Sequence, residues 1–299
     1  MPSVDGLDLL AAARERISRA LAQLCERDLA DVASPVRDAI RYSLLGEGKR
    51  MRGVLFLSAF DAADGVGDAS SLAAAIEVVH AYSLVHDDLP CMDDDDVRRG
   101  RPTVHRVYGV TAATAAGLAM VPLAARSADS AARKLGLDAA AAGAIVAELM
   151  RASGAGGMIG GQLLDLEGEG RQMTLADLER IHRAKTGALI TAAARLGGRA
   201  ASAGAKRLDA LERYGEAVGL AFQIADDVLD VTATTDQLGK TAGRDLALHK
   251  STYPALLGVD GARDRASALI EEGCAALDAV GLLTPALAQI ARFTVERTS

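Results

Sequence analysis

Apolar residues along this chain recur three or four positions apart. Leu72, Ile76 and Val79 form one series, Leu178, Ile181 and Leu189 a second, and Val218, Phe222, Ala225 and Leu229 a third. That spacing lines one face of a helix. No alternation of apolar and polar residues lasts long enough to predict a sheet. Thr174, followed three residues on by Asp177, predicts a capped helix start ahead of Leu178. Gly and Pro mark breaks at Gly65–Gly67, Leu89–Pro90, Gly168–Gly170, Gly197–Gly198 and Gly258–Gly261. The glycines from Gly154 to Gly161 predict close helix packing. The longest uncharged run, Val107 to Ala125, approaches a bilayer span in length. Its Gly109, Gly117, Pro122 and many alanines predict a buried core helix instead. With no low-complexity linker and no repeat, the pattern reads as one all-α domain over residues 1–299.

Composition supports the helical reading. Half of the 299 residues are hydrophobic, Trp is absent, and Phe and Tyr number only four and five. The remainder of that half leans on alanine, the best helix former. Charge excludes more than it specifies. The net charge is −7, from 40 acids against 33 Lys plus Arg, and no basic stripe suggests a nucleic-acid partner. Cys25, Cys91 and Cys274 lie far apart, so a zinc ribbon is excluded and free thiols in a reducing compartment are expected. Acids in the first residues interrupt any signal peptide, and nothing reads as an integral membrane span, so the expected location is the cytoplasm.

Two acidic clusters carry the candidate chemistry. In HDDLPCMDDDDVRRGRPT (86–103), Pro90 disfavours helical geometry at Leu89, so a helix should end near Asp87 and Asp88. Asp93, Asp94, Asp95 and Asp96 follow in a loop. At about 5 Å and an effective dielectric near 20, each pair of like charges costs about 3 kcal/mol. Such a cluster splays into water, raises its pKa values or binds cations. The second cluster is FQIADDVLD (222–230), where Gln223, Asp226 or Asp227, and Asp230 share one helical face. The stripe of Val218, Phe222, Ala225 and Leu229 should face the core. A calcium loop fits poorly, because the first cluster lacks its Gly and terminal Glu. Oxygen-only sites of this kind suit Mg²⁺, which shares its sphere with phosphates and water.

Basic residues flank both clusters. Arg98, Arg99 and Arg101 follow the first, and Lys49, Arg50 and Arg52 lie upstream in GEGKRMRG (46–53). Lys185 and Thr186 precede the second cluster, and Lys240, Arg244 and Lys250 follow it. Gly239-Lys240-Thr241 is not a P-loop, since Thr234 stands where that motif requires Gly. Acids for metal and bases for phosphate point to a polyanion held between them, and diphosphate meets that demand.

In this order and spacing, GKRMR, DDLPCMDDDDVRRGRPT, GGQLLDL, KTGALI, FQIADDVLD and GKTAGRDLALHKSTYP resemble the trans-isoprenyl diphosphate synthases, and among them the bacterial farnesyl diphosphate synthase branch. The resemblance runs from about residue 10 to residue 290. It implies an isoprenoid synthase-like helical bundle around a deep central cavity, usually a homodimer. It implies condensation of an allylic diphosphate with isopentenyl diphosphate, most simply to farnesyl diphosphate, with geranyl or geranylgeranyl diphosphate as alternative products. Asp87, Asp93 and Asp226 would bind Mg²⁺, supported by Asp88, Asp227 and Asp230. Lys49, Arg52, His80 and Arg99 would hold isopentenyl diphosphate. Arg98, Lys185 and Lys240 would contact the allylic diphosphate with Lys250 nearby, while Thr186 and Gln223 would lie beside the reacting carbons. Tyr82, five residues before Asp87 and so about 7.5 Å down a helix axis, would limit product length.

Three positions depart from that family's usual pattern. Gly53 replaces a proline, which should loosen a turn. Leu118 replaces an aspartate, and Pro122 falls within an expected helix, where it removes a hydrogen bond. A non-catalytic partner subunit is the alternative of another class, but such chains usually lose an acidic motif and both stand here. A terpene cyclase would not need GKRMR.

Overall fold

The computed structural model describes residues 4–168, 170–232 and 251–296. Four helices come first: α1 (Val4–Asp28), α2 (Val36–Leu45), α3 (Met51–Ala62) and α4 (Ser70–Asp87). A two-stranded hairpin follows, β1 (Val97–Arg98) with β2 (Arg101–Pro102). Then come α5 (Val104–Tyr108), α6 (Val110–Lys134), α7 (Ala139–Ser153), α8 (Met158–Gly168) and α9 (Leu175–His182). A π-turn (Arg183–Gly187) leads into α10 (Ala188–Ala200), and α11 (Ala205–Thr232), α12 (Tyr253–Asp278) and α13 (Pro285–Glu296) complete the described chain.

The most apolar helices lie innermost. In α4 every residue from Leu72 to Val79 is buried, and in α3 every residue from Gly53 to Phe60. Helices that are hydrophobic all round need neighbours all round. α4 packs on α6, α1 and α3; α10 packs on α3 and α11; α11 lies along α12. At α9 the predicted start is observed: Thr174 is the N-cap and its Oγ1 accepts from Asp177 N–H at 3.2 Å.

Several expectations are corrected. Gly197 and Gly198 do not break the chain but sit inside α10. A Cβ at Gly197 would lie 2.4 Å from the Phe56 carbonyl oxygen, so the residue permits close approach to α3. On α11 the buried stripe is Ala217, Leu220, Ala221, Ile224 and Val228, packed with Ala262, Ala266 and Leu269 of α12. Phe222, Ala225 and Leu229, expected to face the core, are only half-buried. The run from Val107 is not one core helix: it is cut at Gly109, which has φ of 83°. α6 then continues uninterrupted through Pro122 to Lys134. One face of α6 is buried through Gly117, Met120 and Ala124, whereas Leu118 is 62 % exposed. Among the described helices α6 alone is long and apolar enough to cross a membrane, a test that soluble core helices also pass.

Candidate active site

The site grows from the C-terminal end of α4. The helix stops at Asp87, with Asp88 as its C-cap, where Pro90 forbids continuation. The chain then folds back: Asp93 N–H donates to the Asp87 carbonyl at 2.8 Å, and Asp94 N–H to Leu89 O at 3.1 Å. Asp93 therefore stands over the end of the helix that carries Asp87. The hairpin turns through Arg99 (φ 52°) and Gly100 (φ 71°), both left-handed, as a two-residue hairpin turn of the primed type requires. Consecutive arginines consequently separate. Arg98 pairs with Asp88 at 2.6 Å, while Arg99 donates to the Glu47 carbonyl at 3.2 Å.

The opposite wall comes from α8, the π-turn and α11. Lys185 Nζ donates to Asp165 at 2.7 Å. Thr186 Oγ1 donates to Gln223 Oε1 at 2.9 Å, and Gln223 Nε2 lies 3.4 Å from Asp226 Oδ2. Gly161 makes this wall possible, because a Cβ there would lie 2.1 Å from the Lys185 backbone nitrogen. Asp227 is buried and held from two sides, by His182 Nε2 at 3.3 Å and by the Tyr253 N–H at 2.9 Å.

Both walls face one cavity of about 320 Å³. Its lining brings together ten of the expected site residues: Asp87, Asp93, Asp226, Asp227, Arg52, His80, Arg98, Lys185, Thr186 and Gln223. Lys49 and Arg99 line a second cavity, with Arg14 and Arg50. Lys49 also lies over the Phe293 ring at 5.4 Å. Asp230 is buried and outside the lining of either cavity. Tyr82 lines neither; it sits buried beneath, edge-on to His86 at 4.9 Å. Lys240, Arg244 and Lys250 lie outside the described residues.

Charge is arranged unevenly. Burial pushes Asp87 up to about 6, with the neighbouring Asp93 and Asp88 adding to what Lys185 and Arg98 oppose. Asp88 is also raised, since its burial outweighs the pairing with Arg98. On the basic side, burial lowers Arg52 to about 10, and burial with four nearby arginines drives His80 well below its usual value. His80 is thus neutral in neutral solution, and its buried Nδ1 has no hydrogen-bond partner among the described residues. Gln162 is 6 % exposed with both amide atoms unpartnered there, and it lines the acidic cavity.

Sequence reasoning assigned no role to Gln162, Asp165 or His182. The first two lie three apart in GGQLLDL, a spacing that already placed them on one helical face. His182 carried no comparable signal. Gly53, expected to loosen a turn, instead lies buried in the first turn of α3 and donates its N–H to Glu77 Oε1 at 2.8 Å. Leu118 and Pro122 lie on the exposed face of α6, outside both cavity linings.

The donor set fits a hard cation. All candidate donors are carboxylate oxygens, and Asp87 is a carboxyl whose ionisation a nearby dication would favour. Among the described residues no three acid, His or Cys side chains converge enough to hold an ion by themselves. Such a site would be completed by phosphate oxygens and water, the manner in which Mg²⁺ is usually bound.

Known proteins resemble this chain over most of its length. Residues 33–280 match the polyprenyl synthetase family profile. The chain is 45 % identical over 271 residues to the farnesyl diphosphate synthase of Escherichia coli, covering 88 % of this chain and 90 % of that one. It is 43 % identical over 241 residues to geranylgeranyl pyrophosphate synthase 9 of Arabidopsis thaliana, covering 79 % and 67 %. Among solved structures, an FPP/GFPP synthase from Zymomonas mobilis superposes with a TM-score of 0.83 at 33 % identity, over 96 % of this chain and 99 % of that one. The fold is the all-α isoprenoid synthase fold.

Proposed function

The chain belongs to the polyprenyl synthetase family and is a prenyltransferase; from that premise we propose that it joins an allylic diphosphate to isopentenyl diphosphate and releases farnesyl diphosphate. The observation that carries the reading is one cavity walled by Asp87, Asp93 and Arg98 on one side and Asp226 and Lys185 on the other. Asp87, Asp93 and Asp226 would hold Mg²⁺. When bound, the ions would supply Lewis-acid stabilisation of the leaving diphosphate.

The chain's own groups do the rest. Lys185 and Arg98, each steadied by a carboxylate, are aimed where negative charge grows as the allylic carbon–oxygen bond breaks. Arg52 and neutral His80 hold the second diphosphate in the same cavity, with Lys49 and Arg99 approaching it from the second cavity. This sets the alkene of isopentenyl diphosphate beside the allylic carbon, and such positioning replaces a bimolecular encounter. Met158, Met173, Leu178 and Ile181 line the apolar part of the cavity, where they exclude water that would quench the cation. Thr186 Oγ1 and Gln223 stand next to that carbon and orient it. The proton then leaves the new carbon skeleton for an oxygen of the departed diphosphate, closing the double bond.

The same reading takes the chain as one polyprenyl synthetase domain working as a cytoplasmic homodimer. Three unpaired cysteines suit a reducing compartment, and the exposed Val107, Val110 and Leu118 offer an apolar face to a second copy. The test is product analysis of purified protein supplied with dimethylallyl and isopentenyl diphosphates and Mg²⁺. A fifteen-carbon product that disappears on chelation is expected; failure to consume isopentenyl diphosphate refutes the reading.

A further inference from the structure

Glu77 is a buried acid that the proposed chemistry does not use. It is 2 % exposed and lies among positive charges, with Arg50, Arg52 and Arg99 all feeling its field. A carboxylate removed from water survives only where charges and hydrogen bonds compensate it. Its hydrogen bond goes to a backbone group: Oε1 accepts from Gly53 N–H at 2.8 Å.

That N–H belongs to the third residue of α3 and has no acceptor within the helix. The N-cap of α3, Arg50, is left-handed (φ 49°) and its side chain makes no capping bond. Glu77 supplies the missing acceptor from a different helix. Contact this close demands a residue with an N–H and without a side chain. A Cβ at Gly53 would lie 2.9 Å from Ile17 Cδ1 and 3.2 Å from Glu77 Cγ, and a proline would have no N–H to give.

The placement links two functional residues. Arg52 directly precedes Gly53, and His80 lies one turn beyond Glu77 on the α4 face that continues to Leu84 and Asp87. Arg52 and His80 line the same cavity. Four arginines surround His80, and Glu77 is a counter-charge to three of them, Arg50, Arg52 and Arg99.

We propose that Glu77 is a positioning residue for isopentenyl diphosphate: by capping Gly53 it locks the first turn of α3 to α4 and so fixes Arg52 against His80. The inference rests on the substrate assignment above, and its test separates the two. Calorimetric titration of isopentenyl diphosphate without an allylic partner reports binding without turnover. In Glu77→Ala the Kd should rise about tenfold or more, with KM for the allylic diphosphate and kcat at saturation within about twofold of wild type. Glu77→Gln keeps an acceptor oxygen for the Gly53 N–H and should return the Kd to within about threefold. An unchanged Kd, or both substrates and kcat weakening together, overturns the proposal. If Glu77→Ala does not fold, Gly53→Ala keeps the N–H but wedges the turn apart; it must raise the same Kd, and a wild-type Kd in that variant overturns the proposal equally. A wild type that binds isopentenyl diphosphate without making product sinks the functional reading, while the Kd comparison still decides the role of Glu77.

Discussion

Asp87 is a carboxyl whose burial works against the fold. Its carboxyl is raised to about 6, above the usual carboxylate range near 4. The folded state therefore holds a proton that the unfolded state has lost between about pH 4 and pH 6, and stability falls as pH rises through that window. A shift of about two units corresponds to at most about 3 kcal/mol. Asp87→Asn should accordingly raise the melting temperature at pH 7.5 while activity drops by about 100-fold or more. The stability gain should shrink to nothing near pH 4. Melting curves at both pH values check this, and equal gains at both would contradict it. That residues of the two aspartate clusters would gather beside cations was legible, because motif spacing alone places these charges close together. The burial that lifts Asp87, the Gln162 amide left without a partner among the described residues and the capping contact of Glu77 were not legible, because each depends on packing between segments distant in sequence.

At the scale of elements, the site depends on two short irregularities in an otherwise helical chain. The π-turn at Arg183–Gly187 inserts an extra residue between α9 and α10, so Lys185 and Thr186 project where a regular helix would not aim them. The hairpin turn at Arg99-Gly100 sends neighbouring arginines to different cavities. Neither irregularity has a periodic signal in the sequence, whereas the helices around them do. Glycines at two crossings should separate function from stability. Gly161→Ala forces a methyl group onto the Lys185 backbone and should lower kcat/KM for the allylic substrate about tenfold or more. Gly197→Ala wedges α10 from α3, remote from both cavities, and should destabilise by about 1–3 kcal/mol with kinetics of the folded fraction unchanged. Steady-state kinetics beside denaturant melts distinguish the pair. The same loss of kcat/KM in both would mean that the π-turn is not specially placed. The buried stripe of α11 was misread by one position because alanines are abundant on every face, which blurs the contrast between core and surface.

For the whole molecule, the open variable is how long a chain the cavity admits, since similar proteins include a farnesyl and a geranylgeranyl synthase. Tyr82 is buried in α4, edge-on to His86, whose Nε2 lies 3.2 Å from the Thr114 carbonyl of α6. Tyr82→Ala should extend the product beyond fifteen carbons and destabilise by about 3–5 kcal/mol, the usual cost of deleting a buried ring. Mass analysis of products reads the first effect, and an unchanged product would mean that Tyr82 does not limit chain length.

The account as a whole stands on two acidic walls converging through dications on one diphosphate. A crystal structure with Mn²⁺ and a non-ionising thio analogue of the allylic diphosphate tests this most directly, because anomalous scattering locates each ion. Ions joining Asp87 and Asp93 on one side and Asp226 on the other to the same diphosphate are predicted. Ions on one wall only, or a diphosphate bound by the arginines without metal, would contradict it.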